Sequence, residues 1–513
     1  MTASSVTPTD RQFFGHPRGL STLFFTEMWE RFSYYGMKAM LFLFLVEEVS
    51  EGSPQSGLGM GEQQAGAISG IYNSLVYLLA LPGGWLADRL IGQRRAVLIG
   101  GIVIACGHFS MAATPFNLGF FYLGLILIIV GTGLLKPNVS AMVGELYAGD
   151  TGARRDAGFS IFYMGINIGA FVAPLACGAL RDWAGWHWAF ALAGVGMTFG
   201  VLWYVIDGHS LGNAGLEPKT DPADRPRAKR QAIVSTIGAL AVIALLTFLH
   251  RSGIFVLTWT GVADTLGTAT LLMVFMFLVY VAFFTGQSWE QSKKVIVIGI
   301  LFVFAALFWS GFEQASTSLN AFARDYTDRV VFGWEMPTEW LQAVNPLFII
   351  VLAPFFGALW IRLSSKNLNP SIPLKFALGL IQLSLGFLVI MFAAYVAGGG
   401  ATDVNFTGEQ ARVLPTWLCL MYLLFTTGEL CLSPVGLSSI TKLAPGQFVG
   451  QMMGIWFIAA ALGNLIAGRV GGLIEDQPHA SIFQIVALLV GVGGIVLLVV
   501  SPIIQKRMMG DVR

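Results

Sequence analysis

The chain has 513 residues, of which 55% are hydrophobic and 12% are charged, and its net charge is +1. A membrane-spanning helix needs about 20 largely apolar residues, so this composition is sufficient for about fourteen spans. The apolar runs are longer than the alternating segments of about ten residues that build a transmembrane barrel, which excludes that class. The balanced net charge gives no indication of a nucleic-acid partner, because such a partner would require clustered excess Lys and Arg. We therefore predict an all-α polytopic membrane protein.

Apolar runs separated by charged residues, Gly and Pro place six spans in the N-terminal part of the chain. They lie near residues 21–48, 63–90, 95–113, 117–146, 154–182 and 187–208. The segment Leu216–Arg230 is polar and rich in Pro, and we predict an exposed linker because this composition cannot bury a core. Two further spans are predicted near 231–250 and 265–286. Six more are predicted near 294–322, 337–362, 371–397, 413–440, 447–474 and 480–504.

The predicted organisation is six plus two plus six helices. An N-terminal bundle covers 1–212, a linker with two additional helices covers 213–290, and a C-terminal bundle with a short tail covers 291–513. Lys and Arg in short loops favour the cytoplasmic side of a membrane. If the N-terminus is cytoplasmic, 21 of the 30 basic residues lie on that side, four lie within spans and five lie in the opposite loops. Both termini are therefore predicted to be cytoplasmic.

The cysteines and the first residues of the chain carry no signal for covalent cross-links or for cleavage. The four cysteines lie in apolar stretches without paired spacing, so we expect neither a disulfide nor a metal site. The first twenty residues lack the basic-then-apolar order of a cleavable signal peptide. We therefore expect a retained N-terminus.

Seven ionisable residues fall deep within predicted spans: Glu27, Glu30, Arg31, Lys38, Lys136, Glu313 and Glu429. Each costs about 3 kcal/mol at the centre of a membrane helix unless it is paired or solvated. The polar residues between Glu27 and Lys38 recur at helical spacing and predict one polar stripe on the first helix. The stripe is expected to face a polar cavity; the alternative is that its charges only hold helices together, which apolar packing would do at lower cost. Four acids face three bases, so one carboxylate is a candidate proton site.

The buried charges are also distributed unevenly along the chain. Lys136 and the other buried cations lie in the N-terminal half, whereas Glu313 and Glu429 lie in the C-terminal half. Pro137 is expected to bend or loosen the helix beside Lys136; the alternative for this lysine is to extend to the membrane interface. The polarity suits a zwitterion whose carboxylate contacts Lys136 and Arg31 and whose ammonium contacts Glu429. Short peptides are zwitterions of this kind.

Uncharged side chains supply the other candidates for a peptide site. The amides of Asn167 and Asn345 are suited to a peptide backbone, although Asn345, which precedes Pro346, has the alternative role of a helix-bend residue. Ser433 is also predicted to bind the peptide. Four aromatic residues are suited to side-chain pockets, although packing is the better explanation for each of them taken singly: Tyr35, Tyr72, Trp309 and Trp456.

The segment GGWLADRLIGQRR, residues 83–95, resembles the loop signature between the second and third helices of the major facilitator superfamily. The residues that carry the resemblance are Asp88, Arg89, Gly92, Arg94 and Arg95, which match the pattern G-x-L-A-D-R-x-x-G-x-R-R. A tight Gly turn that carries an acid and several bases can latch one helix bundle to its neighbour at the cytoplasmic face.

Within that superfamily, EMWERFSYYG at 27–36 resembles the E-x-x-E-R-F-x-Y-Y-G signature of the proton-dependent oligopeptide transporters. GTGLLKPNVS at 131–140, FSIFYMGINIGAFVAP at 159–174 and the segments around Glu313 and Glu429 are also similar to that family. Two extra helices between the bundles resemble its bacterial members. The resemblance therefore covers nearly the whole chain.

The resemblance implies a transporter rather than an enzyme. It implies import of di- and tripeptides by proton symport, through alternating access of two six-helix bundles in a bacterial cytoplasmic (inner) membrane. Protons are the coupling ion and no cofactor is expected; a monomer without nucleic-acid partners, embedded in the lipid bilayer, is the expected functional state. The residues implied in proton coupling are Glu27, Glu30, Arg31, Lys136 and Glu313.

The resemblance also assigns the remaining site residues. Lys136 and Arg31 would bind the peptide carboxylate, and Glu429, Asn167 and Asn345 would bind its amine and backbone. Lys38 and Glu313 would form a gate, although Lys38 replaces the arginine that is common there and would give a point contact without bidentate geometry. The second span contains no histidine, so coupling is expected to depend on carboxylates.

Other functions remain open from the sequence. Relatives with the same fold carry nitrate or other small anions, and drug/proton antiport is a second alternative. Glu429 favours a substrate with an ammonium group. A membrane enzyme or a peptide receptor is disfavoured, because the sequence has no zinc-ligand motif, no phosphate-binding loop and no nucleophile elbow.

Overall fold

The computed structural model describes residues 13–50, 52–148, 152–398 and 412–510. Within these ranges, nine α-helices precede residue 285: α1 (Gly19–Val46), α2 (Glu62–Leu78), α3 (Ala80–Leu86), α4 (Gln93–Ala112), α5 (Gly119–Leu146), α6 (Ala153–Ala184), α7 (Trp186–Asp207), α8 (Arg225–Arg251) and α9 (Trp259–Phe284). Seven more follow: α10 (Trp289–Phe312), α11 (Ser318–Asp325), α12 (Val344–Ser365), α13 (Ile372–Ala397), α14 (Thr416–Leu443), α15 (Val449–Gly471) and α16 (His479–Ile504). A small antiparallel hairpin pairs β1 (Val330–Val331) with β2 (Trp334–Glu335).

Thirteen helical segments of the described chain are long and apolar enough to cross a membrane. They do not include α1, whose 28 residues contain four charged side chains, Glu27, Glu30, Arg31 and Lys38. Together with α1, the number agrees with the fourteen predicted spans. The predicted all-α membrane fold is confirmed.

Two predicted spans are interrupted in the structure. The span predicted over 63–90 divides into α2, α3 and a π-helical turn at Ala87–Ile91. Pro82 explains the break after Leu78, because proline has no N–H to donate to the carbonyl four residues earlier. The span predicted over 294–322 ends as α10 at Phe312, continues as a 3₁₀ turn at Glu313–Ser316 and resumes as α11. In contrast, α5 continues through Pro137 as one helix, so Pro137 does not end it beside Lys136.

The linker predicted over Leu216–Arg230 is mostly exposed, but its end is helical. α8 begins at Arg225, so the prediction of a linker as far as Arg230 is wrong for its last residues. A 3₁₀ turn at Pro222–Asp224 leads into α8. The Asp221 side chain caps this turn by accepting a hydrogen bond from the Ala223 backbone N–H. Pro226 then occupies the first turn of α8, where its missing N–H has no intrahelical partner to lose.

The helices pack into two units. Unit 1 contains Met1–Met37 and Leu78–Thr258, and unit 2 contains Lys38–Tyr77 and Trp259–Arg513. In unit 1, α4 packs closely on α5 through small residues: a Cβ added to Gly100 would lie 2.6 Å from the Gly131 carbonyl oxygen. In unit 2, α2 packs on α15 in the same way, and a Cβ added to Gly66 would lie 2.4 Å from the Gly468 carbonyl oxygen. Small residues permit such approach between membrane helices. The domain boundaries from the sequence stay a prediction.

Gly83 and Gly84 on α3 offer a matched test of this packing. A Cβ on Gly83 would lie 2.0 Å from the Gly133 carbonyl oxygen on α5, whereas a Cβ on Gly84 would meet only Pro137 at 3.5 Å. We expect Gly83→Ala to destabilise the protein by about 1–3 kcal/mol, because the backbones must separate. Gly84→Ala should be neutral or stabilising by up to about 1 kcal/mol, because alanine favours helix. Thermal unfolding in detergent measures both, and equal midpoints would contradict the predicted contact.

Candidate functional site

The two acids of the α1 motif share one guanidinium. The Arg31 Nε lies 3.1 Å from Glu27 Oε1, and Arg31 also forms an ion pair with Glu30. Glu27, Glu30 and Arg31 are all buried, with at most 3% of their surface exposed. Glu27 Oε2 and Glu30 Oε1 have no hydrogen-bond partner within the described residues. The charge of Arg31 alone therefore compensates one of the two buried carboxylates.

An aromatic ring joins this cluster to Lys136. The Arg31 Cζ lies 5.1 Å from the centroid of the Tyr34 ring, and the Lys136 Nζ lies 6.0 Å from the same centroid. Both distances allow cation–π attraction. Lys136 also interacts electrostatically with Glu27. The role of Tyr34 was missed in the sequence, although its position on the polar stripe was the signal for it.

In unit 2, Lys38 and Glu313 form a buried ion pair, as the resemblance implied. Lys38 lies on α1, whereas Glu313 lies in the 3₁₀ turn that separates α10 from α11. The interruption therefore places the carboxylate where the helix is broken, a geometry typical of charged sites in transporters. The gating role of the pair stays a prediction.

Glu429 is oriented by neutral side chains. The Asn345 Nδ2 donates hydrogen bonds to Thr426 Oγ1 at 2.9 Å and to Glu429 Oε2 at 3.3 Å. Glu429 forms no ion pair within the described residues, although it interacts electrostatically with Glu313 and Lys38. Asn345 lies in the first turn of α12, directly after the 3₁₀ turn Thr338–Ala343, so its alternative role as a helix-bend residue stays open. Thr426 was missed; its spacing of three residues from Glu429 on α14 was the available signal.

Two of the predicted peptide-site residues, Ser433 and Trp309, have polar groups that are unsatisfied within the described residues. The Ser433 Oγ, one helical turn after Glu429, and the Trp309 Nε1 are buried without a hydrogen-bond partner in the part of the chain that the structure describes. A buried donor without a partner is costly, so a bound ligand would stabilise both groups. Trp309 packs against Gly463, where an added Cβ would lie 2.4 Å from the Trp309 Cβ.

The remaining candidates are packed more closely. The Asn167 Nδ2 donates to the Tyr163 carbonyl oxygen of its own helix at 2.9 Å. The Tyr35 ring contacts the Tyr34 ring edge-on at 5.2 Å between centroids. Tyr72 is buried within unit 2. Trp456 is also buried there and packs on Phe376, with 6.1 Å between ring centroids. Their roles in peptide binding stay predictions.

The loop signature at residues 83–95 contacts the segment of the chain that follows α7. The Lys219 Nζ lies 3.5 Å from Asp88 Oδ1 and 3.1 Å from Glu145 Oε1. Burial alone would lower the pKa of Lys219, but its hydrogen bonds to Glu145 and Asp88 and their charges raise it above the usual value. The Arg94 Nε donates to the Ala214 carbonyl oxygen at 2.7 Å, whereas Arg89 and Arg95 are exposed. Within unit 1, the signature therefore contacts the linker.

A second ionic cluster in unit 2 was missed in the sequence. The Arg324 guanidinium at the end of α11 lies 3.6 Å from Glu62 at the start of α2. The Gln63 backbone N–H donates to Glu475 Oε2 at 2.8 Å. These residues lie at the ends of helices, where the sequence gives no reason to distinguish them from ordinary loop charges.

The helical fold and the buried charges define a class, a secondary transporter of the major facilitator type rather than an enzyme. A crystal structure of a peptide transporter POT in complex with sulfate matches with a TM-score of 0.87 and 41% identity, over 97% of each chain. The family model described as POT family matches residues 94–486, and the chain belongs to that family. The resemblance drawn from the sequence is confirmed.

Two curated relatives are similar along almost their entire length. The chain is 44% identical over 489 residues to the peptide transporter YePEPT of Yersinia enterocolitica, covering 93% of this chain and 92% of that one. It is 38% identical over 517 residues to a di-/tripeptide transporter of Lactococcus lactis subsp. cremoris, covering 98% of this chain and 99% of that one.

Proposed function

We propose that the protein imports di- and tripeptides together with protons, as a monomer in a bacterial cytoplasmic membrane with both termini cytoplasmic. The observation that carries this proposal is the pair of buried acids, Glu27 and Glu30, that shares the single guanidinium of Arg31. The names of the two curated relatives support the same substrate class.

Proton coupling follows from competition for Arg31. Arg31 contacts both acids and Lys136 also interacts with Glu27, so two carboxylates share two cations. A cation that is drawn to another anion leaves one carboxylate in excess, and a proton on that carboxylate removes the excess charge. A peptide carboxylate that binds Lys136 and Arg31 would take the guanidinium away from an acid. That acid would then favour its protonated form, so peptide binding and proton binding would support each other.

Recognition of the amine would depend on Glu429. A buried carboxylate without an ion-pair partner is stabilised by a bound ammonium group, and the Asn345 amide holds its Oε2 in place. This arrangement disfavours nitrate or another small anion as the substrate, because a second negative charge would meet Glu429 without compensation. Broad drug resistance on expression, without peptide accumulation, would instead favour antiport.

We expect Glu429→Gln to weaken peptides with a free amine by about 10- to 100-fold, the loss of a hydrogen bond to a charged group. Peptides with an acetylated amine should be affected much less, because they never place an ammonium beside Glu429. Competition of both peptide types against labelled dialanine uptake measures the difference.

Ser433→Ala on the same helix face is the matched control. It removes a hydroxyl but no charge, so it should affect both peptide types equally. If Glu429→Gln also weakens both types equally, Glu429 has a structural role or belongs to the proton path, and the proposed orientation of the peptide is wrong.

A further inference from the structure

A cleft in unit 1 that contains none of the peptide-site candidates is lined by two arginines and one aspartate. It has a volume of about 340 Å³ and is lined by Trp85, Arg89, Asp224, Arg227, Ala228 and Gln231. Trp85 lies on α3 and Arg89 lies in the π-helical turn Ala87–Ile91, whereas Arg227 lies in the first turns of α8. π-helical turns often occur at functional sites, because the extra residue turns side chains out of the regular helical register.

The two arginines of this cleft have no anionic partner. Over the described ranges, neither Arg89 nor Arg227 has a side-chain hydrogen bond or an ion pair, and Asp224 is the single acid among the lining residues. Arg225, Lys229 and Arg230 add further positive charge at the start of α8.

An adjoining cleft of about 390 Å³ contributes the remaining charges. It is lined by Asp88, Arg89, Lys219, Thr220, Asp221 and Asp224. Asp88 and Lys219 pair with each other, and Asp221 accepts the Ala223 backbone N–H. Apart from the Asp88–Lys219 pair, the two clefts are lined by two cations, Arg89 and Arg227, and two acids, Asp221 and Asp224. The three further cations at the start of α8 lie outside the lining and make the surroundings of the first cleft positive, which favours an anion.

An apolar surface begins directly beyond these charges. On α8, Ile233, Val234 and Ile237 are 49%, 61% and 61% exposed, and the membrane-spanning part of this helix buries none of its residues within the protein. The indole of Trp85 is 36% exposed at the cleft. Trp and Arg beside an exposed apolar helix mark the level of lipid headgroups.

We propose that this cleft binds an anionic glycerophospholipid, with its phosphate contacted by Arg89 and Arg227 and its acyl chains on the exposed face of α8. Guanidinium groups bind phosphate through paired N–H donors, which makes two unpartnered arginines suited to it. Gln231 offers an amide to the glycerol of the headgroup. The exposed apolar face of α8 favours a lipid over free phosphate, because free phosphate has no apolar part that could pack against it.

Native mass spectrometry of the detergent-solubilised protein tests the proposal, with phosphatidylglycerol titrated against phosphatidylcholine. Wild type should retain phosphatidylglycerol preferentially. The double variant Arg89→Gln/Arg227→Gln should lose that affinity by at least about tenfold, since two hydrogen bonds to a charged phosphate are removed. Lys229→Gln/Arg230→Gln removes the same number of charges from α8, outside the cleft, and should lose less than about threefold.

Two further measurements keep the outcome decisive. Arg227→Gln alone should give an intermediate loss, and unfolding midpoints without lipid identify any variant whose loss reflects misfolding. Inorganic phosphate should not displace phosphatidylglycerol. Equal losses in both double variants would show attraction by general surface charge, and displacement by phosphate would show a soluble anion as the ligand. Either result would overturn the proposal.

Discussion

Lys136→Ala is expected to reduce proton-driven peptide uptake in proteoliposomes by about 100-fold, to near the level of liposomes without protein. The substitution removes the cation that interacts with Glu27 and that, with Arg31, is proposed to bind the peptide carboxylate. It also leaves a buried carboxylate without compensation, which is costly inside a membrane. Labelled dialanine with an imposed pH gradient measures the effect, and peptide counterflow without a gradient tests binding separately.

The chain offers two comparisons for this variant. Lys136→Arg keeps the charge but replaces a compact ammonium with a planar fork, so we expect poor rescue. Lys366→Ala makes the same substitution at an exposed site just after α12 and should transport like wild type. Uphill uptake that survives in Lys136→Ala would show that this lysine is neither a peptide contact nor part of coupling.

The main features of the fold and the charged residues of the site could be predicted from the sequence. Long apolar runs determine membrane helices almost uniquely, because a chain in lipid must satisfy its backbone hydrogen bonds internally. The cost of a buried charge likewise selects residues such as Glu30 and Glu429 without any structure. The pairing of Lys38 with Glu313 required a resemblance, since 275 residues separate them in the chain.

Local geometry was less predictable. The break that places Glu313 in a 3₁₀ turn has no proline to announce it, and the mostly polar residues that follow it, Gln314 to Ser318, do not fix where the helix ends. The helical start of α8 lies in a polar segment, where composition alone indicates a linker. Tyr34 meets Lys136 of α5, and Thr426 accepts a hydrogen bond from Asn345 of α12, through tertiary packing. Helical spacing can place a side chain on one face of its helix, but it cannot identify the partner on another helix. Hydrophobic pattern therefore predicts elements, whereas their interruptions depend on what each element packs against.

Because peptide transport is proposed to be coupled to protons, transport of a neutral dipeptide should carry inward current. Either Glu27→Gln or Glu30→Gln should abolish uphill accumulation of the peptide. A zwitterionic peptide adds no net charge, so each co-transported proton moves one positive charge inward. The membrane potential then contributes about 2.3 kcal/mol per charge per 100 mV. In wild-type proteoliposomes, a potassium diffusion potential that is negative inside should therefore drive dipeptide uptake without a pH difference.

Each Gln variant removes one protonatable site from the cluster around Arg31 while keeping a similar shape. Exchange of labelled for unlabelled peptide needs a binding site but no gradient, so part of it should survive in both variants. Glu48→Gln, at an exposed acid just after α1, makes the same substitution outside the cluster and should keep full accumulation. Absence of a voltage response in wild type, or full concentrative uptake in both cluster variants, would show that these carboxylates are not the coupling site.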